Sequence, residues 1–86
     1  MDRNLCVLEV KPINGSDDGF KKDVATLRTF TTNHRYHAGI LLVFGDCERA
    51  ETVIRSKVGI DITLLRTKGV SVLWMRNARS GLVELE

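Results

Sequence analysis

The chain has 86 residues and a mass of 9.7 kDa, which is the size of one small domain, or of part of one, and excludes two full domains. With 43% hydrophobic and 28% charged residues, it has the composition of a globular chain, which excludes a disordered, fibrous or membrane-embedded one. Its formal charge of +2 permits contact with nucleic acid but does not require it.

Cysteine usage and the chain ends predict the compartment. Cys6 and Cys47 lie far apart in apolar stretches, so we expect two buried, reduced thiols. No apolar run reaches the roughly 18 residues of a membrane span, and no secretory signal is recognisable, so we expect a cytoplasmic protein.

The terminal pair Leu85-Glu86 matches what a common cloning site leaves before a purification tag, and both interpretations of it, native or not, stay open.

The first half of the chain predicts a strand, a helix and a second strand. Asn4–Lys11 is apolar on both faces, as expected of a strand inside a sheet. A turn-rich stretch follows, in which Ser16, Asp17 or Asp18 can cap a helix that runs from about Asp18 to Asn33. Ala38–Phe44 is a second buried strand, so the three elements make a right-handed βαβ unit.

The second half predicts one more helix and three short strands. Asp46 is a plausible N-cap for a helix that buries Cys47 and Ala50 and closes at Gly59. Strands are expected at 60–66, 70–76 and 82–85. Without the short edge strand at 82–85, the predicted order is β-α-β-α-β-β, a single α/β domain over residues 1–86 with a mixed sheet flanked by helices.

Glu9 and Lys11 are the most informative residues, because a buried strand rarely ends with two charges on one face. Side chains two apart along a strand point to the same side, so the pair lies together. A carboxylate beside an ammonium suits a metal-dependent hydrolase, in which the first holds a hard cation and the second activates water or offsets phosphate charge. The other interpretation is an ion pair at the strand end that faces water.

The context of this pair carries a resemblance. The strand Leu5–Pro12, the helix with Asp23 and Leu27 four apart, and the apolar strand Gly39–Phe44 resemble the PD-(D/E)xK nuclease superfamily, the restriction-endonuclease-like fold. The resemblance covers residues 4 to 46. It implies a partial restriction-endonuclease-like core that belongs to a Mg²⁺-dependent endonuclease hydrolysing DNA phosphodiester bonds, with RNA not excluded.

The resemblance also assigns roles within the pair. Glu9 would be the metal ligand, Lys11 the catalytic lysine, and the backbone carbonyl of Val10 a further metal ligand. The family also uses an aspartate on the preceding strand. Asp2 cannot supply it, because seven residues of extended chain put it about 23 Å from Glu9 and on the opposite face. We therefore expect the isolated chain to be an inactive fragment, or else a degenerate module of the same fold that binds nucleic acid or protein without catalysis.

Partners are predicted from charge and from the missing strand. Four basic residues of the first helix and its end could contact DNA phosphates: Lys21, Lys22, Arg28 and Arg35. The plainer interpretation is that they form a solvated helix face. His34 and His37 favour a basic helix end over a metal pair. A sheet lacking a neighbouring strand exposes an edge, which predicts a homodimer or a domain-swapped assembly.

Overall fold

A computed structural model describes residues 5–33 and 36–86 as a two-layer α/β arrangement. Seven elements follow in chain order: β1 Cys6–Pro12, α1 Asp17–Asn33, β2 Ala38–Phe44, α2 Ala50–Val58, α3 Ile62–Thr67, β3 Val70–Met75 and β4 Val83–Glu84. The sheet order is β1-β2-β3-β4, with the first three strands parallel and β4 antiparallel to β3. The predicted α/β class with a mixed sheet and helices is confirmed.

The helices cover only one face of the sheet. Strands that follow one another without reversal, joined by right-handed crossovers, bring every connecting helix to the same side. The residues buried under that layer alternate along β2 and β3, and they pack against α1, α2 and α3 in one core. Members of that core with no more than 1% exposure include Phe20, Leu27, Leu41, Ile54, Leu65 and Val72.

The opposite side of the sheet is bare, and we call it the open face, defined by Leu8, Val10, Ile40, Leu42, Phe44 and Leu73. Leu8 is 54% exposed, Val10 51% and Phe44 41%. The prediction that the first strand is buried on both faces is therefore wrong. The apolar residues are there, but no element of the described residues lies over them.

The first strand also lies at the edge of the described sheet and not at its centre. Its last residue is Pro12, which the sequence placed just after the strand. Ile13 donates its N–H to the carbonyl of Phe44, and the alternation of a parallel pair then directs the backbone of Pro12 away from β2. A proline lacks an N–H to donate, so it is tolerated at such an edge position.

Helix α1 follows the prediction closely and settles its cap. Ser16 accepts a hydrogen bond from the N–H of Gly19 at 3.0 Å, so among the three candidates Ser16 performs the capping. Asp17 and Asp18 lie in the first turn, where a carboxylate is favoured by the helix dipole.

Helix α2 starts later than predicted. It begins at Ala50, and its N-cap position is Arg49 in a left-handed conformation. Asp46 lies before the cap position, and its carboxylate pairs with Arg76 at 3.2 Å. Gly59 ends the helix in the left-handed conformation, as predicted.

The predicted strand at Ile60–Arg66 is wrong, because this segment forms α3. Asp61 caps it by accepting a hydrogen bond from the N–H of Thr63 at 2.8 Å. Ile62 and Leu65 are buried while Leu64 between them is 46% exposed, which is the spacing of a helix. The β-branched residues suggested a strand, but the cap and the need for a crossover into parallel β3 outweigh that preference.

The structure also bears on the two cysteines and on Leu85 near the end of the chain. Cys6 is exposed and Cys47 half-buried, so the prediction of two buried thiols is wrong for Cys6, which lies on an edge strand. Leu85 is 1% exposed and donates its N–H to the carbonyl of Val72. This residue therefore takes part in the core.

Candidate active site

Glu9 and Lys11 lie side by side on the helix-covered side of β1, toward its carboxyl end. Their strand partners are Leu41 and Val43, both buried, which shows that the pair points toward the core layer and not toward the open face. Both charged residues are nevertheless only partly buried, because β1 is an edge strand. The sequence prediction for the relative placement of the two groups agrees with this arrangement.

The backbone N–H and C=O of Val10 point away from β2, unlike those of Glu9 and Lys11. Odd-numbered residues of β1 exchange hydrogen bonds with β2, as the bond from Ile13 to Phe44 and the register show. The N–H and C=O of Val10 therefore face the free edge of the strand. A carbonyl oxygen at this edge is open to an oxygen-seeking cation or to another strand.

Lys11 is held by helix α1. Its Nζ lies 3.0 Å from Oδ2 of Asp23, and the two side chains are 22% and 16% exposed. Gly15 and Gly19 make room for it, since a Cβ at Gly15 would lie 3.1 Å from Lys11 Cδ and one at Gly19 3.3 Å from Lys11 Nζ. The ammonium therefore rests against the first turns of α1.

Asp23 is a residue of this site that the sequence prediction missed. A signal for it existed: in a βαβ unit the helix folds back over the strand, so its first turns lie beside the strand's last residues. Asp23 and Lys11 meet for that reason. The alternative in which Glu9 and Lys11 form an ion pair with each other is not the one found, because Lys11 pairs with Asp23.

The carboxylate of Glu9 makes no ion pair or side-chain hydrogen bond to any other residue of 5–33 and 36–86. Within those residues no group of three or more His, Cys, Asp and Glu side chains could hold a metal ion. One carboxylate and one edge carbonyl are oxygen ligands of the kind that Mg²⁺ accepts, but Mg²⁺ is usually held by one or two carboxylates together with waters and substrate phosphates. The described part of the site fits such an ion only in part.

Of the predicted nucleic-acid contacts, Lys21 points away from Glu9 and Lys11. Lys21 and Lys22 are exposed, and the methylenes of Lys21 pack beside Gly59 at the end of α2. Two residues along a helix turn the side chain by about 200°, so Lys21 faces away from the side on which Asp23 meets β1.

Arg28 continues the surface of Lys21. It lines a shallow depression on α1 together with Ala25, Thr29 and Thr32. Arg35, the fourth predicted contact, and His34 lie outside the described residues. His37 is exposed and donates its N–H to the carbonyl of Leu5 at 2.7 Å.

What this region can do chemically follows from its three groups. The carboxylate of Glu9, the edge carbonyl of Val10 and the ammonium of Lys11, which Asp23 positions, lie together on β1 next to the free edge of the described sheet. Over the described residues, no helix has the length and apolar character that crossing a bilayer requires. In comparisons with known proteins, no family model, no curated protein and no solved structure matches this chain.

Proposed function

We propose that this chain carries the Glu-x-Lys half of a Mg²⁺-dependent nuclease site within a partial restriction-endonuclease-like core. The observation that carries the proposal is the arrangement on β1: Glu9 and Lys11 share one face, and the carbonyl of Val10 between them points to the free edge. The parallel pairing of β1 with β2 through α1 is compatible with the order of elements that the resemblance implies.

Each group has a role that its chemistry supports. Glu9 and the carbonyl of Val10 would hold Mg²⁺, which supplies Lewis-acid stabilisation of phosphate charge when bound. Lys11 would hold an ammonium near the scissile phosphate of DNA, where it offsets charge and orients water. Asp23 keeps that ammonium beside α1 in the absence of substrate.

The proposal needs a second acidic side chain, which the resemblance assigns to a neighbouring strand. The free edge of β1 is where such a strand would pair, beside Glu9. Asp17 and Asp18 belong to the first turn of α1, and Asp2 lies outside the described residues. We therefore expect this 86-residue chain not to cleave DNA by itself.

The test compares this chain with a form that carries an Asp-bearing strand beside β1. The longer form is expected to nick supercoiled DNA with Mg²⁺, and Lys11→Ala is expected to abolish nicking while the protein stays folded. Lys68→Ala, an exposed lysine at the end of α3, is the matched control and should keep full activity. Cleavage that survives Lys11→Ala would place the site elsewhere.

A binding module without catalysis is the second candidate. The observation in its favour is that Lys11 already has a partly buried carboxylate partner, as a purely structural lysine would. In that case duplex DNA should bind without cleavage, and Lys22→Glu and Arg28→Glu should each weaken it in fluorescence anisotropy. Lys68→Glu is the control of equal charge change, and an equal loss from it would indicate non-specific attraction only.

A further inference from the structure

A depression of about 240 Å³ lies beside the single tryptophan of the chain, at the end of β3. Strand geometry brings its walls together, because side chains two apart on a strand share a face, and Val83 of β4 is the antiparallel partner of Trp74. Pockets for drug-sized ligands measure about 300–1,000 Å³, so this smaller one suits a single compact group. Its lining residues are Trp74, Arg76, Ser80, Gly81 and Val83.

The aromatic wall of this depression is fixed by contacts on several sides. Nε1 of Trp74 donates a hydrogen bond to the carbonyl of Gly45 at 2.9 Å, and the indole packs against the core. Cζ of Arg76 lies 5.1 Å from the centre of the indole ring, and Nε of Arg76 lies 3.2 Å from Oδ1 of Asp46. A cation–π contact and an ion pair therefore hold the guanidinium over the ring.

The opposite wall is the loop between β3 and β4, which its own hydrogen bonds hold in shape. Oδ1 of Asn77 accepts a bond from the N–H of Arg79 at 2.8 Å, and Oγ of Ser80 accepts one from the N–H of Asn77 at 3.1 Å. Gly81 follows in the left-handed conformation, at φ 74°, and turns the chain into β4. The depression is therefore formed in the free chain, as small-ligand sites usually are.

The position of Trp74 in the sheet relates this depression to Glu9 and Lys11. Lys11 pairs with Val43, and Val43 pairs with Trp74, so the three residues form one row across the sheet and point to the same side of it. Two strand spacings of about 4.8 Å put the backbone of Trp74 about 10 Å from that of Lys11. Stacked nucleotides of one DNA strand rise about 3.4 Å each, so about three of them span this distance.

The lining has the chemistry that receives a nucleobase. The indole–guanidinium stack offers a planar surface, Val83 offers an aliphatic one, and the Nη groups of Arg76 are N–H donors of the kind that phosphates accept. Bases of single-stranded nucleic acids stack on aromatic rings and arginine planes with little regard to sequence. In a duplex the faces of each base are already stacked, so a base must be unpaired to enter such a depression.

We propose that this depression binds one unpaired base of a nucleic-acid strand whose backbone passes the end of β1. The proposal deepens the nuclease proposal and rests on it for the choice of nucleic acid as the ligand. It assigns the substrate form, which is single-stranded or locally unpaired DNA.

The test follows the fluorescence of Trp74, which reports on this depression alone because the chain has one tryptophan. The probe is a single-stranded oligothymidylate of ten nucleotides, titrated into this chain without Mg²⁺. It is expected to quench the emission of Trp74, because a bound base lies against the indole–guanidinium stack. An abasic strand with the same number of phosphates, and a duplex of the same length, are each expected to bind at least about tenfold more weakly.

Three variants locate the site, with affinity measured by fluorescence anisotropy of a labelled oligothymidylate. Val83→Glu puts a carboxylate into the lining and should weaken binding at least about tenfold. Leu82→Glu is the matched control, because it makes the same charge change at a neighbouring exposed residue outside the lining, and it should leave the affinity nearly unchanged. Both residues are exposed enough for the variants to stay folded. Arg76→Lys keeps the charge and loses the planar group, so it should weaken oligothymidylate more than the abasic strand.

Three results would overturn the proposal. The first is binding of the oligothymidylate without quenching of Trp74, or no binding. The second is equal affinity for the abasic strand or the duplex, which would indicate contact with phosphates only. The third is an equal loss of affinity from Leu82→Glu, which would indicate non-specific attraction.

This outcome is separable from that of the nuclease proposal. Nicking by the longer form together with no quenching of Trp74 would contradict the base site alone. Quenching of Trp74 together with no nicking would support the base site and would favour the binding module over the nuclease.

Discussion

The ion pair between Lys11 and Asp23 allows a quantitative prediction, because it joins β1 to α1 and is largely shielded from water. Its side chains are 22% and 16% exposed, against 38% and 59% for Arg55 and Glu51, which form an i,i+4 pair on the surface of α2. Exposed pairs contribute about 0.2–1 kcal/mol, whereas breaking a fully buried pair costs about 3–5 kcal/mol. We expect about 1–2 kcal/mol of coupling between Lys11 and Asp23.

Urea denaturation of four proteins measures this coupling: the unchanged chain, Lys11→Met, Asp23→Asn and the double variant. Methionine puts a sulfur and a methyl group in place of the Cδ and Cε methylenes that lie over Gly15 and Gly19, so it keeps most of the apolar contact and removes the charge. Each single variant should lower the free energy of unfolding, because it leaves the other charge partly buried and unpaired, and the double variant should lose less than the sum. The same cycle on Glu51 and Arg55 should give about 0.3–0.5 kcal/mol. Equal coupling in the two cycles would refute the reasoning.

Three further outcomes are expected. Gly39→Ala should lower the free energy of unfolding by about 1–3 kcal/mol, since the new Cβ would lie 3.3 Å from both Leu27 and Thr31 under α1; a urea midpoint at or above that of the unchanged chain would contradict this packing. Asp61→Ala should cost about 0.5–2 kcal/mol by removing the cap of α3, and no loss of α3 amide protection in hydrogen exchange would argue against that helix. Titration calorimetry of this chain should find Mg²⁺ affinity no better than millimolar, because among the described residues Glu9 is the one carboxylate that the proposal assigns to the metal while Asp23 pairs with Lys11, and micromolar affinity would show a more complete metal site.

The sequence predicted well wherever local signals and burial agree. The strand Ala38–Phe44 was predicted with its observed bounds, and the first helix was predicted with its observed end at Asn33 and a start one residue late, because a strongly apolar run and a capped amphipathic pattern are clear local signals. The segment at Ile62–Thr67 failed, since its β-branched residues favour a strand in isolation. There the cap at Asp61 and the parallel crossover decided the structure.

The exposure of the first strand could not be predicted from its composition. An apolar strand such as Cys6–Pro12 looks the same in sequence whether a neighbour covers it or not, because exposure depends on the strand order and on which side the helices lie. That Glu9 and Lys11 lie on the same face of the strand, by contrast, follows from strand geometry alone. The contact between Asp23 and Lys11 follows from the crossover, which brings together two residues that are twelve apart in sequence.

Paramagnetic broadening by Mn²⁺ tests the central claim, that a cation binds at the end of β1 through Glu9. With Mn²⁺ at millimolar concentration, the amide signals of Glu9, Val10 and Lys11 should broaden before all others, because carboxylate and carbonyl oxygens are ligands that this ion prefers. Glu9→Gln should remove the broadening, whereas Glu48→Gln, at an exposed loop position, should leave it unchanged. Broadening centred instead on the first turn of α1 and unaffected by Glu9→Gln would contradict the account.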